Sequence, residues 1–391
     1  MDFKKFPKGH TAFLVIHGIG EQNPLETLDS FSRWLIQELQ KNPEGVQAEH
    51  RIAERADAHG SRWTESFVRL TPKLSDGRYI DIHEYYWAYL TEDRITIPEI
   101  TEWVMKTLKG TKNFYSDNPA LAKRYKKYGL LSLQLRCVYW HLAIATALYP
   151  FARLLRAVFS LLPGWSKLPG VEAIIGGIRK KGKEFMLGFI GDIAIYTTTD
   201  QKSKFYQLRQ QILANSQSFV EDILFKNQYD RVIIAGHSLG SVIAYDTLNR
   251  LNIKVNLDPQ AFTTINKLTG LITFGSPLDK IAFFFRETAR NEEYVRRAIT
   301  DYLHSFKART GILTAAAAGP VPIQPSIEAK LDYIHWKNYY SKNDPVSGHL
   351  DFYAINTDDN IKLTMKRFWG FGHTEYWEHE PFYQDLIMKF L

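Results

Sequence analysis

A serine between two glycines has the clearest chemical potential in this sequence. Ser238 is the central residue of the pentapeptide Gly-His-Ser-Leu-Gly at 236–240, which follows the β-branched run 232–234 and precedes a helical pattern at 241–251. A strand that turns sharply into a helix leaves no room for bulky side chains beside the turning residue, and glycines meet that need. Because such a turn lifts a hydroxyl clear of the sheet, Ser238 is predicted to be a nucleophile.

A serine hydroxyl needs a base to take its proton, and histidine is the usual base. Where a serine occupies this kind of turn, the acid and then the histidine follow it in the chain. The histidines that follow are His304, His335, His349, His373 and His379. His373 comes after the last predicted strand in a glycine-containing loop that can fold back over the edge of the sheet. We therefore expect His373 to be the base, with His379 and His349 as alternatives.

An acid should hold that imidazole in one tautomer and stabilise its charged form. Asp344 follows the penultimate predicted strand, and ligand-facing residues gather at the carboxyl ends of strands in open α/β sheets. Asp344 is therefore the predicted acid. Asp279 and Asp351 remain alternatives, and an aspartate before a proline is also a common turn former.

Acyl transfer further requires N–H donors for the charge that develops on the carbonyl oxygen. The backbone N–H of Leu239, directly after the nucleophile, is the first candidate. The N–H of Ile19 is the second, because it follows an early strand and Gly18 permits a turn there. We expect His17 to order this loop and not to act as a base.

The elements that must position these residues alternate between strands and helices. Strands are predicted at 13–16, 66–70, 79–87, 231–235, 271–274, 333–340 and 361–368. Helices are predicted at 28–39, 201–224, 241–251 and 381–391. This order predicts an α/β fold with a mostly parallel sheet covered by helices on both faces, and a turn at 75–77 predicts a hairpin between the second and third strands.

The positive charge is concentrated in one segment of the 391-residue chain. The net charge is +7, yet residues 103–183 contain fifteen Lys or Arg against two acidic residues, which gives +13 and leaves −6 elsewhere. Within this segment, residues 130–162 are rich in apolar and aromatic side chains, and the longest charge-free run, 137–152, is shorter than the ~20 residues of a spanning helix. The pattern favours an interfacial segment on an anionic membrane, with a buried helical hairpin as the alternative.

Other partners and cofactors are not expected. The basic residues border an apolar stretch and do not line a polar face, which argues against nucleic acid as a partner. The sequence contains no phosphate-binding loop, dinucleotide motif or paired cysteines, and His373, Glu375 and His379 lack the helical spacing of a zinc site, so no cofactor or metal is predicted. The chain has a single cysteine, Cys137, which is typical of a reducing compartment. The apolar run 11–16 is too short for a signal peptide. We therefore predict a cytoplasmic location, which allows peripheral attachment to the inner face of the membrane.

These motifs resemble the α/β-hydrolase superfamily, in particular its lipase and esterase branch with a His-Gly oxyanion motif. The chain is most similar to bacterial proteins with the motif HGIGEQ, here at 17–22, and an acid loop DPV, here at 344–346, and is distantly like membrane-linked deacylases of lipid acyl esters. The resemblance covers about residues 11–90 and 191–391.

The resemblance implies an α/β-hydrolase fold with the triad Ser238, Asp344 and His373 and with Ile19 and Leu239 as oxyanion donors. Three segments are then expected: 1–95 as the first part of the core, 96–190 as a basic, apolar helical insertion, and 191–391 as the second part of the core. Lids in that superfamily usually follow the nucleophile, whereas this insertion precedes it.

The predicted activity is hydrolysis of an acyl ester, of a lipid or amphiphilic substrate, through an acyl-Ser238 intermediate. A thioesterase or amidase would use the same groups. A catalytically silent, membrane-bound interaction protein is the alternative from another class, although such a protein has no chemical need to keep all three triad residues.

Overall fold

The structure is a computed structural model of the chain. It describes residues 6–19, 23–56, 62–74, 77–92, 94–96, 98–100, 102–103, 191–197, 203–226, 228–279, 295, 306–307, 327–344, 346–351, 353–366 and 371–391. The chain divides into two compact units, of which the first comprises Met1–Gly18, Gln22–Trp87 and Gln210–Leu391, and the second Ile19–Glu21 and Ala88–Arg209.

An eight-stranded sheet forms the centre of the first unit. Its strands are β1 (His10–Ile16), β2 (Val46–Ala56), β3 (Arg62–Pro72), β4 (Tyr79–Tyr85), β5 (Arg231–His237), β6 (Leu268–Phe274), β7 (His335–Tyr340) and β8 (Asn360–Lys362). They lie in the order β2-β3-β4-β1-β5-β6-β7-β8. The pairs β2–β3 and β3–β4 are antiparallel, and all other neighbours are parallel. The predicted α/β class with a mostly parallel sheet is thus confirmed.

The described helices are α1 (Glu26–Leu39), α2 (Gly191–Thr197), α3 (Lys204–Phe225), α4 (Leu239–Leu257), α5 (Phe262–Ile265) and α6 (Glu380–Phe390). Short 3₁₀ helices occur at Ala88–Leu90, Pro259–Ala261, Thr357–Asp359 and Phe371–Glu378. The described part of the second unit consists of Ile19, the first 3₁₀ helix, residues 91–103 in part, α2 and the start of α3. No described helix has both the length and the apolar character needed to cross a membrane.

Both faces of the central strands are buried, as expected of parallel strands. The apolar sides of α1 and α6 pack in one core cluster with Phe13 of β1 and Ile233 of β5. Side chains alternate along a strand, so Leu14 and Ile234 point to the opposite face, where they are also fully buried. On that face α4 packs against β1, β5 and β6. The turn at Ser238 therefore lies between a strand and a helix that both pack in the core.

Two strands differ from the sequence-based prediction. β2 was not predicted, because Val46–Ala56 contains charged residues without an apolar alternation, and its residues 47–52 are exposed at the edge of the sheet. The predicted strand 361–368 is wrong over 363–366, because strand pairing covers only Asn360–Lys362. Residues 367–368 lie outside the described residues. The basic segment 103–183 lies outside the described residues except for Trp103, so its predicted helical character stays a prediction.

Candidate active site

The turn at Ser238 joins β5 to α4. Ser238 has φ 53°, a left-handed backbone that is uncommon and strained for a residue with a side chain. A Cβ on Gly236 would lie 2.5 Å from the carbonyl oxygen of Gly240, and a side chain on Gly240 would overlap the main-chain oxygens of Ile16 and His17. The two glycines are therefore required by space, as the motif predicts.

Ser238, His373 and Asp344 form a continuous chain of hydrogen bonds. The Nε2 atom of His373 lies 2.8 Å from Ser238 Oγ, and its Nδ1 atom lies 3.0 Å from a carboxylate oxygen of Asp344. A carboxylate only accepts, so Nδ1 carries the proton and Nε2 is left to accept the serine hydroxyl proton. The structure thus brings the three predicted residues together in the geometry that general-base activation of a serine requires.

The Asp344 carboxylate is fully buried and satisfied by two further donors. The Tyr376 hydroxyl lies 3.0 Å from the same oxygen that contacts His373, and the Val346 N–H lies 2.8 Å from the other oxygen. Burial and the charge of Asp344 raise the pKa of Tyr376 well above its ordinary value, so the phenol keeps its proton and donates. These donors favour the ionised carboxylate that an imidazolium needs beside it.

Tyr376 was not singled out from the sequence, although a local signal exists. It follows His373 by three residues within the 3₁₀ helix Phe371–Glu378. Side chains at i and i+3 of a 3₁₀ helix lie above one another, so His373 and Tyr376 face the same way. That shared direction explains how both reach Asp344.

The alternative acids have other partners. One carboxylate oxygen of Asp279 lies 2.7 Å from the backbone nitrogen of Asp351, and the Asp351 carboxylate pairs with His349 Nδ1 at 2.9 Å. Neither contact involves His373. Of the predicted acid candidates, Asp344 is the one that the structure places on the imidazole.

The alternative bases also make contacts elsewhere. His379 Nε2 lies 3.1 Å from the carbonyl oxygen of Thr364, and His335 Nε2 lies 3.1 Å from Asp359. His349 pairs with Asp351 as above, and His304 lies outside the described residues. His373 is the histidine that contacts Ser238.

The chain at Gly18 passes directly beside the nucleophile. A Cβ on Gly18 would lie 2.6 Å from Ser238 Cβ and 3.2 Å from Ser238 Oγ, so a side chain would collide with the reacting group. Leu239, the predicted first oxyanion donor, begins α4, where the N–H groups of the first turn lack helical partners. Ile19 belongs to the second compact unit, and its N–H as the second donor stays a prediction.

His17 orders the chain before Gly18. Its Nδ1 lies 2.7 Å from the Gly18 carbonyl oxygen, while Nε2 accepts a hydrogen bond from the Trp87 backbone N–H at 3.0 Å. Its ring also stacks on the Trp87 indole with centroids 5.0 Å apart. Burial lowers the pKa of His17 to about 4, so the ring is neutral near pH 7. These contacts make His17 a structural residue, as expected.

A cavity of about 540 Å³ begins at the residue after His373 and extends along the start of α1. It is lined by Pro24, Leu25, Glu26, Thr27, Asp29, Ser30, Thr374 and Trp377. Thr374 and Trp377 belong to the same 3₁₀ helix as His373. Neither Ser238 nor His373 lines this cavity.

In the part of the chain that the structure describes, no three His, Cys, Asp or Glu side chains come together to hold a metal ion. Glu375, which lies between His373 and His379 in sequence, accepts a hydrogen bond from the Lys366 backbone N–H at 2.7 Å.

No family model, curated protein or solved structure matches this chain significantly.

Proposed function

We propose that this chain is a serine hydrolase of the α/β-hydrolase type, which cleaves the acyl ester of a lipid or amphiphilic substrate. The continuous contact from Ser238 Oγ through the His373 ring to the Asp344 carboxylate carries this proposal. The order of the three residues supports the proposal. Ser238 follows β5, Asp344 follows β7 and His373 comes after β8 of one mostly parallel sheet, which gives the chain order serine, acid, histidine.

In the proposed reaction, Ser238 Oγ attacks the ester carbonyl carbon while His373 Nε2 takes the hydroxyl proton. The N–H groups of Leu239 and Ile19 would stabilise the negative charge on the carbonyl oxygen. Asp344 stabilises the imidazolium, which then gives its proton to the leaving alcohol. The acyl-enzyme reacts with a water molecule that His373 deprotonates, and the acid product leaves as the hydroxyl of Ser238 is restored.

The substrate class rests on the distribution of charge along the chain. Residues 103–183 carry a charge of +13 around an apolar, aromatic stretch, which is suited to substrates presented at an anionic membrane. Thioesters and amides would pass through the same acyl-Ser238 intermediate. A panel of soluble p-nitrophenyl esters, thioesters and anilides, with a micellar phospholipid, distinguishes these classes by kcat/KM.

Labelling with a fluorophosphonate probe tests the proposal. Wild-type protein should bond covalently to the probe at Ser238, and mass spectrometry of the labelled peptide identifies the site. Ser238→Ala should not be labelled and should lose about 10⁴- to 10⁶-fold in ester turnover while remaining folded. Ser218→Ala, on α3, is the matched control and should label like the wild type. Wild-type protein that is neither labelled nor active would point to the catalytically silent interaction protein.

A further inference from the structure

His237, the last residue of β5, makes a contact that the proposed mechanism does not use. Its Nε2 atom lies 2.9 Å from the main-chain carbonyl oxygen of His373. A carbonyl oxygen only accepts hydrogen bonds, so Nε2 must carry the proton and donate it. The residue directly before the nucleophile is thereby bonded to the backbone of the residue that serves as its base.

The environment of His237 suits a donor that stays neutral. Burial, together with positive charge on His373, lowers the pKa of His237 to about 3. The centroids of the two rings lie only 4.8 Å apart. His373 becomes an imidazolium when it takes the serine proton, and a second cation at this distance would oppose that step. A neutral imidazole supplies the hydrogen bond without that repulsion.

Packing fixes the direction of the His237 ring. The rings of Phe274 and Trp377 lie 5.1 and 5.0 Å from it, centroid to centroid. Gly275, with φ +63°, leaves the space that both histidines occupy: a Cβ there would lie 3.0 Å from His237 Nε2 and 3.2 Å from His373 Cε1. The hydrogen bond to the His373 carbonyl therefore joins two segments whose positions are otherwise set by separate elements.

We propose that His237 is a positioning residue, which holds the backbone of His373 so that its imidazole contacts Ser238 and Asp344 together. This inference rests on the proposed hydrolase function. A displacement of a reacting group by about 1 Å can cost on the order of 10²-fold in rate. Loss of the hydrogen bond should therefore lower turnover and not substrate binding.

His237→Met and His237→Gln form a matched pair, because the side chains are alike in length and only the glutamine amide can donate to the His373 carbonyl. On a soluble p-nitrophenyl ester, His237→Met should lower kcat about 10- to 100-fold with KM within about twofold of wild type. His237→Gln should restore kcat to within about threefold of wild type. Equal kcat values for the two variants would overturn the inference, as would wild-type turnover in His237→Met.

A measurement on the native protein separates this inference from the proposed function. Nitrogen-15 NMR of histidine-labelled protein at pH 7 should show His237 as a neutral ring protonated on Nε2. A proton on Nδ1 would contradict the positioning role of His237 whether or not the protein is an esterase. Because this spectrum is recorded on the wild type, it tests the positioning role even if His237→Met does not fold. Absence of labelling and turnover in the wild type would instead count against the hydrolase itself.

Discussion

The hydroxyl of Tyr376 lies 3.0 Å from one carboxylate oxygen of Asp344, and the same oxygen contacts the His373 imidazole. The proposed acid is therefore held from the same 3₁₀ helix that carries the proposed base. Because this donor is buried, no water can readily replace it.

Tyr376→Phe removes that donor and keeps the ring. A hydrogen bond to a charged group contributes about 1.5–3 kcal/mol, so we expect a comparable loss in the free energy of unfolding and a fall in kcat of roughly tenfold. Tyr383→Phe is the matched control, because the buried Tyr383 hydroxyl contacts the neutral carbonyl of Trp377 at 3.1 Å. It should lose stability and keep its turnover. Full turnover in Tyr376→Phe would show that Asp344 does not need this hydrogen bond.

Gly18→Ala tests the close approach of the chain to the nucleophile. The new Cβ would lie 2.6 Å from Ser238 Cβ, so one of the two segments must move. We expect ester turnover and the rate of fluorophosphonate labelling to fall at least tenfold, because a shift of about 1 Å can cost on the order of 10² in rate. Gly77→Ala is the control, since its Cβ would meet nothing within 4 Å and only its φ of +88° is unfavourable. That variant should lose about 1 kcal/mol of stability with unchanged turnover.

Stability should fall below pH 6.5 because two histidines are buried as neutral rings. Burial lowers the pKa of His17 to about 4 and of His237 to about 3, from an unfolded value of about 6.5. Between these values the unfolded chain binds more protons than the folded one, so each ring removes up to about 1.4 kcal/mol per pH unit as the pH falls from 6.5 towards 4. Above pH 6.5 their contribution is complete.

Urea unfolding of wild type and His17→Asn between pH 7.5 and 4.5 measures this slope. The variant should show a pH slope smaller by about 1.4 kcal/mol per unit in the window between about pH 6.5 and 4. Ser218→Ala, on α3, removes no titratable group and should keep the wild-type slope. Identical slopes in His17→Asn and wild type would contradict the burial of a neutral His17.

The basic segment 103–183 should hold the protein on anionic membranes. Each lysine or arginine near such a surface contributes about 1 kcal/mol, attenuated over a Debye length of about 8 Å at physiological salt. One cluster in this segment consists of Lys123, Arg124, Lys126 and Lys127. Neutralising these four residues should therefore weaken flotation with phosphatidylserine liposomes at low salt and leave hydrolysis of a soluble ester unchanged.

A variant with four exposed lysines of the first unit changed to glutamine controls for net charge in this flotation assay. Those residues are Lys8, Lys73, Lys342 and Lys362. The control should float like the wild type. Wild-type protein that stays with the soluble fraction on anionic liposomes at low salt would refute the membrane role of the segment.

Much of the site could be predicted because its parts follow local rules. The pentapeptide around Ser238 combines a buried strand, two glycines and a helix, and each is visible in a few consecutive residues. Asp344 follows from the same kind of reasoning, since carboxyl ends of parallel strands meet at one edge of the sheet. His373 was the predicted base because of its loop after the last predicted strand, with His379 and His349 as alternatives, and the structure shows that its ring contacts Ser238.

The tertiary structure alone decided the contacts between residues that are distant in sequence. Tyr376 meets Asp344 across 32 residues, and His237 meets the His373 carbonyl across 136. No periodicity records such a contact, because the hydrogen bond depends on where two separate segments lie after the sheet has formed. The edge strand β2 could not be predicted for a related reason. Most of its residues are exposed and many are charged, so its sequence has no apolar alternation. Its strand conformation depends on pairing with β3.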